Sequence, residues 1–175
     1  MAPSTGGGRS APFRKLLLTA HVTASVGWVG AVAAFLALAV AGVASDDGQT
    51  VRGAYLAMEP LGWFVLVPLS LGSLLTGLVQ SLGSPWGVFR HYWVVAKLVL
   101  NLIATTVLLL YMQTLGELAE RARSTGAVGT LRSPSPVVHA GAGLLLLLAA
   151  TALAVYKPRG LTAYGRRRLR ESRGR

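Results

Sequence analysis

Seven side chains of this 175-residue sequence could do chemistry from within long apolar stretches: His21, Glu59, Gln80, Lys97, Asn101 and His139, with His91 where one stretch begins. Polar groups in hydrocarbon are costly, so each marks a candidate site. An imidazole can ligate a metal or move a proton. A neutral Lys amine can ligate iron. A carboxylate beside a proline can carry a proton in a broken helix, and Glu59 precedes Pro60. Spacing sorts these residues further. His21, Ser25, Trp28, Val32 and Phe35 recur at intervals of four and three, which places them on one helical stripe. Trp93, Lys97, Asn101, Ala104, Leu108 and Tyr111 form a second stripe of the same kind.

Other chemistries are excluded. The chain has no cysteine, so it has no disulfide, thiolate zinc site, iron–sulfur cluster or Cys nucleophile. No phosphate-binding G-x-x-x-x-G-K-[ST] loop and no H-E-x-x-H is present, and no Ser and His spacing suggests a triad. Three His and three Met, scattered, make a poor copper site.

The elements that position the polar residues follow from where charge is absent. Only 13% of residues are charged, against about 25% in soluble domains. Residues 16–45, 60–89, 98–116 and 133–156 hold none. A spanning helix needs about 20 apolar residues. The sequence therefore predicts an all-α, four-helix transmembrane bundle with spans at about 16–43, 54–82, 91–115 and 136–156. Residues 1–13 read as a disordered Gly/Ser/Pro-rich segment, 14–160 as the membrane domain, and 161–175 as a basic tail. Pro60 and Pro68 should bend the second span. Small residues at Thr23, Gly27, Gly30, Ala34, Ala37 and Ala41, at Ser73 and Gly77, and at 140–143 read as packing seams.

Lys and Arg counts set the orientation. With the N-terminus in the cytoplasm, twelve lie on that side (Arg9, Arg14, Lys15, Arg90 and eight in the tail) and four on the other (Arg52, Arg121, Arg123 and Arg132). Both termini are therefore expected in the cytoplasm of a plasma-membrane protein. Trp86, Tyr92 and Trp93 fit an aromatic belt on that side. The tail lacks the aromatic interleaving of a nucleic-acid site, so its expected partner is anionic lipid.

Depth then pairs the polar groups. His21 lies about 7.5 Å inside the first span and Lys97 about 9 Å inside the third, from the same face. These two can share one layer. Glu59 and His139 enter from the other face and form a possible second polar layer. An imidazole beside an aromatic wall, facing a Lys and an Asn, would suit a flat, largely apolar ligand with one polar or metal centre; heme b or a porphyrin fits. The candidate cofactor residues are His21, Lys97, Trp28 and Asn101, with His21 and Lys97 as heme-iron ligands. Plainer readings stand beside this one. Lys97 can snorkel to headgroups. His21 and Asn101 can be interhelical hydrogen-bonding groups. Glu59 and His139 can be a polar contact or face interfacial water.

Three motifs carry a resemblance. The first span reads LTAHVTASVGWVGAVAAF, with His21, Trp28 and Gly30 in an H-x6-W-x-G pattern. The third reads HYWVVAKLVL, with Trp93 four residues before Lys97, and the fourth ends in VYKPRG. From about Arg14 to Gly165 the chain resembles small four-span integral membrane proteins from actinobacteria. More remotely, the three motifs are similar to HemJ-type protoporphyrinogen oxidases and to the membrane domain of CopD-type copper-resistance proteins. The HemJ-type resemblance implies His21 and Lys97 as the functional polar pair and heme b as the cofactor. The chain departs from that pattern at the start of the fourth span, where Pro136-Val137-Val138-His139 replaces acidic and Asn residues.

The leading expectation is thus a b-type heme or porphyrin-binding membrane protein with a redox or tetrapyrrole-handling role. One alternative is a non-enzymatic accessory or scaffold protein, possible as a homo-oligomer. Another is a small ion-coupled carrier with a water path from Glu59 to Lys97.

Overall fold

In a computed structural model the described residues are 11–82, 91–124, 131–156, 160, 162, 166 and 167. Uncharged apolar runs must satisfy their backbone internally when they cross lipid, and these do so as helices. They are α1 (Ala11–Ala44), α2 (Gly48–Leu61), a π-turn (Gly62–Leu66), α3 (Val67–Leu82), α4 (Tyr92–Arg123) and α5 (Ser135–Tyr156). The segment Gly48–Leu82 runs as one helix through the π-turn, so four helices are long and apolar enough to cross a membrane. No β-strand occurs among the described residues. Large apolar side chains such as Leu16, Val26, Phe64, Leu110 and Leu145 lie exposed on the outside, as lipid-facing residues should.

The four spans form a ring. α1 packs against the α2–α3 segment and against α5, and α4 packs against the same two. α1 and α4 therefore face each other across the bundle centre, in up-down-up-down order. One end of the bundle carries Asp47 and the start of α5. The other carries Lys97 and the ends of α3 and α5.

The helices outrun the apolar windows. α1 starts at Ala11, inside the segment expected to be disordered, with Pro12 in its first turn where a missing N–H costs nothing. α2 starts six residues before the expected span because Asp47 caps it. Its carboxylate accepts from Gln49 N (3.3 Å), Thr50 N (2.9 Å) and Thr50 Oγ1 (2.6 Å). α4 continues past Leu115 to Arg123, because Leu118, Ala119 and Ala122 keep an apolar stripe that is buried in the bundle. Trp86 and the expected tail fall outside the described residues, apart from Thr162, Arg166 and Arg167 of the tail.

The two prolines do not break the second span but widen it. Pro60 and Pro68 have no N–H to give to the preceding turn. Between them Val67 N bonds Gly62 O, a register one residue longer than the α-helix. The widened turn brings Gly62 against α4: a Cβ there would lie 2.8 Å from Met112 Cε.

The small-residue stripe of α1 is a seam only in part: a Cβ on Gly27 would lie 3.4 Å from the Leu69 side chain of α3. Thr23, Gly30, Ala34 and Ala37 are exposed, and a Cβ on Gly30 would meet nothing. α1 instead buries His21, Trp28, Val32, Phe35, Ala39 and Gly42. The larger side chains of this stripe fill the bundle centre, which the small ones would leave empty. Gly42 admits the Tyr55 ring, 3.1 Å from a would-be Cβ. The Ser73 and Gly77 seam does pack, Gly77 directly beneath the His21 ring. Of 140–143 only Ala140 is buried.

Candidate functional site

His21 and Lys97 meet across the centre of the bundle, with Lys97 Nζ 3.3 Å from His21 Nε2. α3 fixes the imidazole. His21 Nδ1 lies 3.1 Å from Ser73 O and 3.0 Å from Thr76 Oγ1. Thr76 gives its own hydroxyl proton to Gly72 O, and Ser73 O can only accept. Nδ1 therefore carries the proton, and Nε2 is left as a bare acceptor facing Lys97. Ser25 and Ser73 exchange a hydroxyl hydrogen bond of 2.8 Å one turn away, and Gln80 Nε2 donates to Leu17 O at 2.9 Å. These contacts hold α1 against α3 at the depth where the ring sits.

Beside this pair opens a pocket of about 460 Å³ lined by all four spans, including Lys97, Asn101, Trp93, Gln80, Leu18 and Ala154. That volume lies in the range of small-molecule sites, which also favour bundle cores. Asn101 is 7% exposed, yet its carboxamide has no hydrogen-bond partner among the described residues. Lys97 has no carboxylate within 4 Å among them either. Leu18 and Val22 on the rim are half exposed, so the mouth of the pocket opens toward lipid.

The remaining predicted residues go elsewhere. Trp28 is buried but does not line this pocket. It faces a second, apolar cavity of about 260 Å³ further along the bundle, with Phe35, Leu66, Tyr111 and His139. Two helical turns separate Trp28 from His21, so the shared stripe puts them in successive chambers. Glu59 and His139 do not pair with each other. Glu59 forms an ion pair with Arg123, which also holds Glu120 at 3.2 Å. His139 places Nδ1 2.9 Å from Ser135 O and stacks on Tyr111 with ring centroids 4.0 Å apart. No three His, Asp or Glu side chains come together as a metal cluster among the described residues.

Ser73, Thr76 and Gly77 are the site residues that sequence reasoning missed. Their signal was present as a stripe through Gln80 at spacings of three and four, but it read as a packing seam. Arg123 was missed as the partner of Glu59 because the third span was expected to end at 115, before the turns of α4 that carry Arg123.

Four helices long and apolar enough to cross a membrane are compatible with an integral, multi-pass membrane protein, and the bundle core holds a polar pocket. Comparison with protein-family models, with curated proteins and with solved structures found no match.

Proposed function

We propose that the pocket at the Lys97 end binds a flat, largely apolar ligand through His21, and that this ligand is heme b or a porphyrin in a redox or tetrapyrrole-handling role. The observation that carries the reading is the state of the imidazole. A metal-ligating His characteristically gives its second ring nitrogen to a backbone carbonyl, which fixes tautomer and orientation. His21 does this through Ser73 O, leaving Nε2 at the pocket wall. The residues present could hold the group through one nitrogen. His21 Nε2 would hold the metal, and Lys97 Nζ, 3.3 Å from that nitrogen and bonded to it, would give up that bond. A bound heme would supply one-electron chemistry. The chain would supply the imidazole, the apolar walls and the exclusion of water.

In this proposal the protein sits in the plasma membrane with both termini in the cytoplasm, and the basic tail contacts anionic lipid. The carrier alternative is disfavoured by register. Trp28, Phe35, Leu66 and Met112, all buried and apolar, occupy the bundle between the levels of Glu59 and Lys97.

The test is an absorption spectrum of the detergent-purified protein expressed with ample heme, oxidised and dithionite-reduced. The expected result is a reduced α-band of b-type heme that disappears in His21→Ala and shifts or persists in Lys97→Ala. A featureless wild-type spectrum would overturn the heme assignment.

A further inference from the structure

We propose that Lys97 and Asn101 form an anion subsite, and that the ligand of this pocket is an amphiphile carrying a carboxylate or phosphate. The inference rests on the pocket being a ligand site, as above, but not on the ligand holding a metal.

Three observations carry it. First, the placement of acids leaves Lys97 without a counter-charge among the described residues. The sequence has six acidic residues. Asp46, Asp47, Glu59, Glu117 and Glu120 all lie toward the Asp47 end, and Glu171 lies in the tail outside the described residues. Glu117 is twenty residues along α4 from Lys97, about 30 Å at 1.5 Å per residue. That exceeds a Debye length several-fold, and at that end Glu59 and Glu120 pair with Arg123 and Asp46 with Arg132. An ammonium within a span ordinarily pairs with an acid or a carbonyl. Among the described residues Lys97 bonds the His21 ring alone, which uses one of its three N–H donors.

Second, Asn101 lies one turn further along the same face of α4, buried in the pocket wall and unpartnered. Its amide is open to the pocket and not tied to a neighbouring helix, so it is free to donate to an acceptor held there. A carboxylate or phosphate oxygen accepts from both an ammonium and an amide N–H, and both bonds are strengthened by the charge.

Third, the rest of the wall is apolar (Leu18, Val22, Leu74, Val94 and Leu98), and the rim opens among lipid-exposed Leu18 and Val22. A free inorganic anion would have no reason to enter there. An anionic head on an apolar body would enter from the bilayer.

The experiment uses the full chain in dodecyl maltoside micelles, which carry no anionic group. 9,10-Dibromostearate and its methyl ester are titrated while quenching of tryptophan fluorescence reports their arrival at Trp93. The expected result is saturable quenching by the acid, displaced by oleate, with the ester at least tenfold weaker. Trp93→Phe should remove most of the quenching. Lys97→Met should bring acid and ester within about threefold, and Lys97→Arg should keep the preference, which separates lost charge from lost fold. A parallel titration with dibrominated phosphatidylglycerol identifies the source. Tight binding there points to a lipid phosphate, and tight binding of the fatty acid alone points to a free carboxylate. Equal binding of acid and ester, or a preference that survives Lys97→Met, overturns the proposal. The absorption spectrum reads the metal and this titration reads the charge, so a failed heme assignment and a failed anion subsite give different results.

Discussion

The two ends of the bundle treat their polar groups in opposite ways. At the Asp47 end most of the acids have protein partners. Asp47 caps α2, and Arg132 holds Ser45 O at 2.7 Å and Asp46 at 3.3 Å. Arg123 joins Glu59 to Glu120. The Tyr55 hydroxyl both donates to Ser133 O and accepts from Ser133 N. Tyr55, Met58, Met112 and Leu115 are fully buried there. At the Lys97 end the imidazole is pinned, but among the described residues Asn101 has no partner and Lys97 no acid, and a pocket stands open. Polar residues that complete one another explain a fold. Polar residues held in place yet incomplete indicate something that completes them.

That contrast can be broken by substitution. Tyr55→Ala removes a fully buried ring and both Ser133 bonds at the Asp47 end. It should cost about 3–5 kcal/mol in a detergent unfolding titration. A loss near zero would mean that this end is not the stability anchor. Gly77→Ala should cost about 1–3 kcal/mol by overpacking, because a Cβ would lie 3.0 Å from His21 Cε1. It should also displace the ring and weaken any ligand held by Nε2, so stability and ligand occupancy should fall together.

Asn101→Leu sharpens the comparison through its sign. Removing a hydrogen-bonded polar group destabilises, but removing an unpartnered one is neutral or stabilising, here by up to about 1 kcal/mol. The unfolding midpoint should hold or rise while binding of an anionic amphiphile weakens. A clear destabilisation would show that Asn101 is structural.

The smallest effect is electrostatic. The Thr50 hydroxyl and the amides of Thr50 and Gln49 hold the Asp47 carboxyl below the usual range. A carboxyl whose pKa is depressed on folding stabilises above its unfolded value and loses that contribution as pH falls through the folded one. The difference in thermal midpoint between wild type and Asp47→Ala should thus be full at neutral pH and shrink as pH drops below about 4. A pH-independent difference would mean that the cap acts without its charge.

Much of the fold was legible because hydrocarbon imposes simple rules. Charge-free windows marked the four spans, and the His21 and Lys97 stripes, spaced at three and four, became the inward faces of α1 and α4. What was not legible depended on neighbours. Nothing in the α1 sequence says whether its glycine stripe or its aromatic stripe turns inward, since both have helical period. The extension of α4 to Arg123 was hidden by charges that sit on the exposed face of an amphipathic turn. Glu59 and His139 were assigned a common layer by depth alone, and depth does not choose partners. Trp28 shared a stripe with His21, but a stripe runs the length of a helix and passes more than one chamber.

The central claim is that the Lys97 end is completed by a ligand. Native mass spectrometry of the protein released from dodecyl maltoside tests it most directly, comparing wild type with the His21→Ala, Lys97→Met double variant. The account predicts one added mass per wild-type chain that is absent from the variant. Bare chains in both, or an added mass that survives both substitutions, would contradict it.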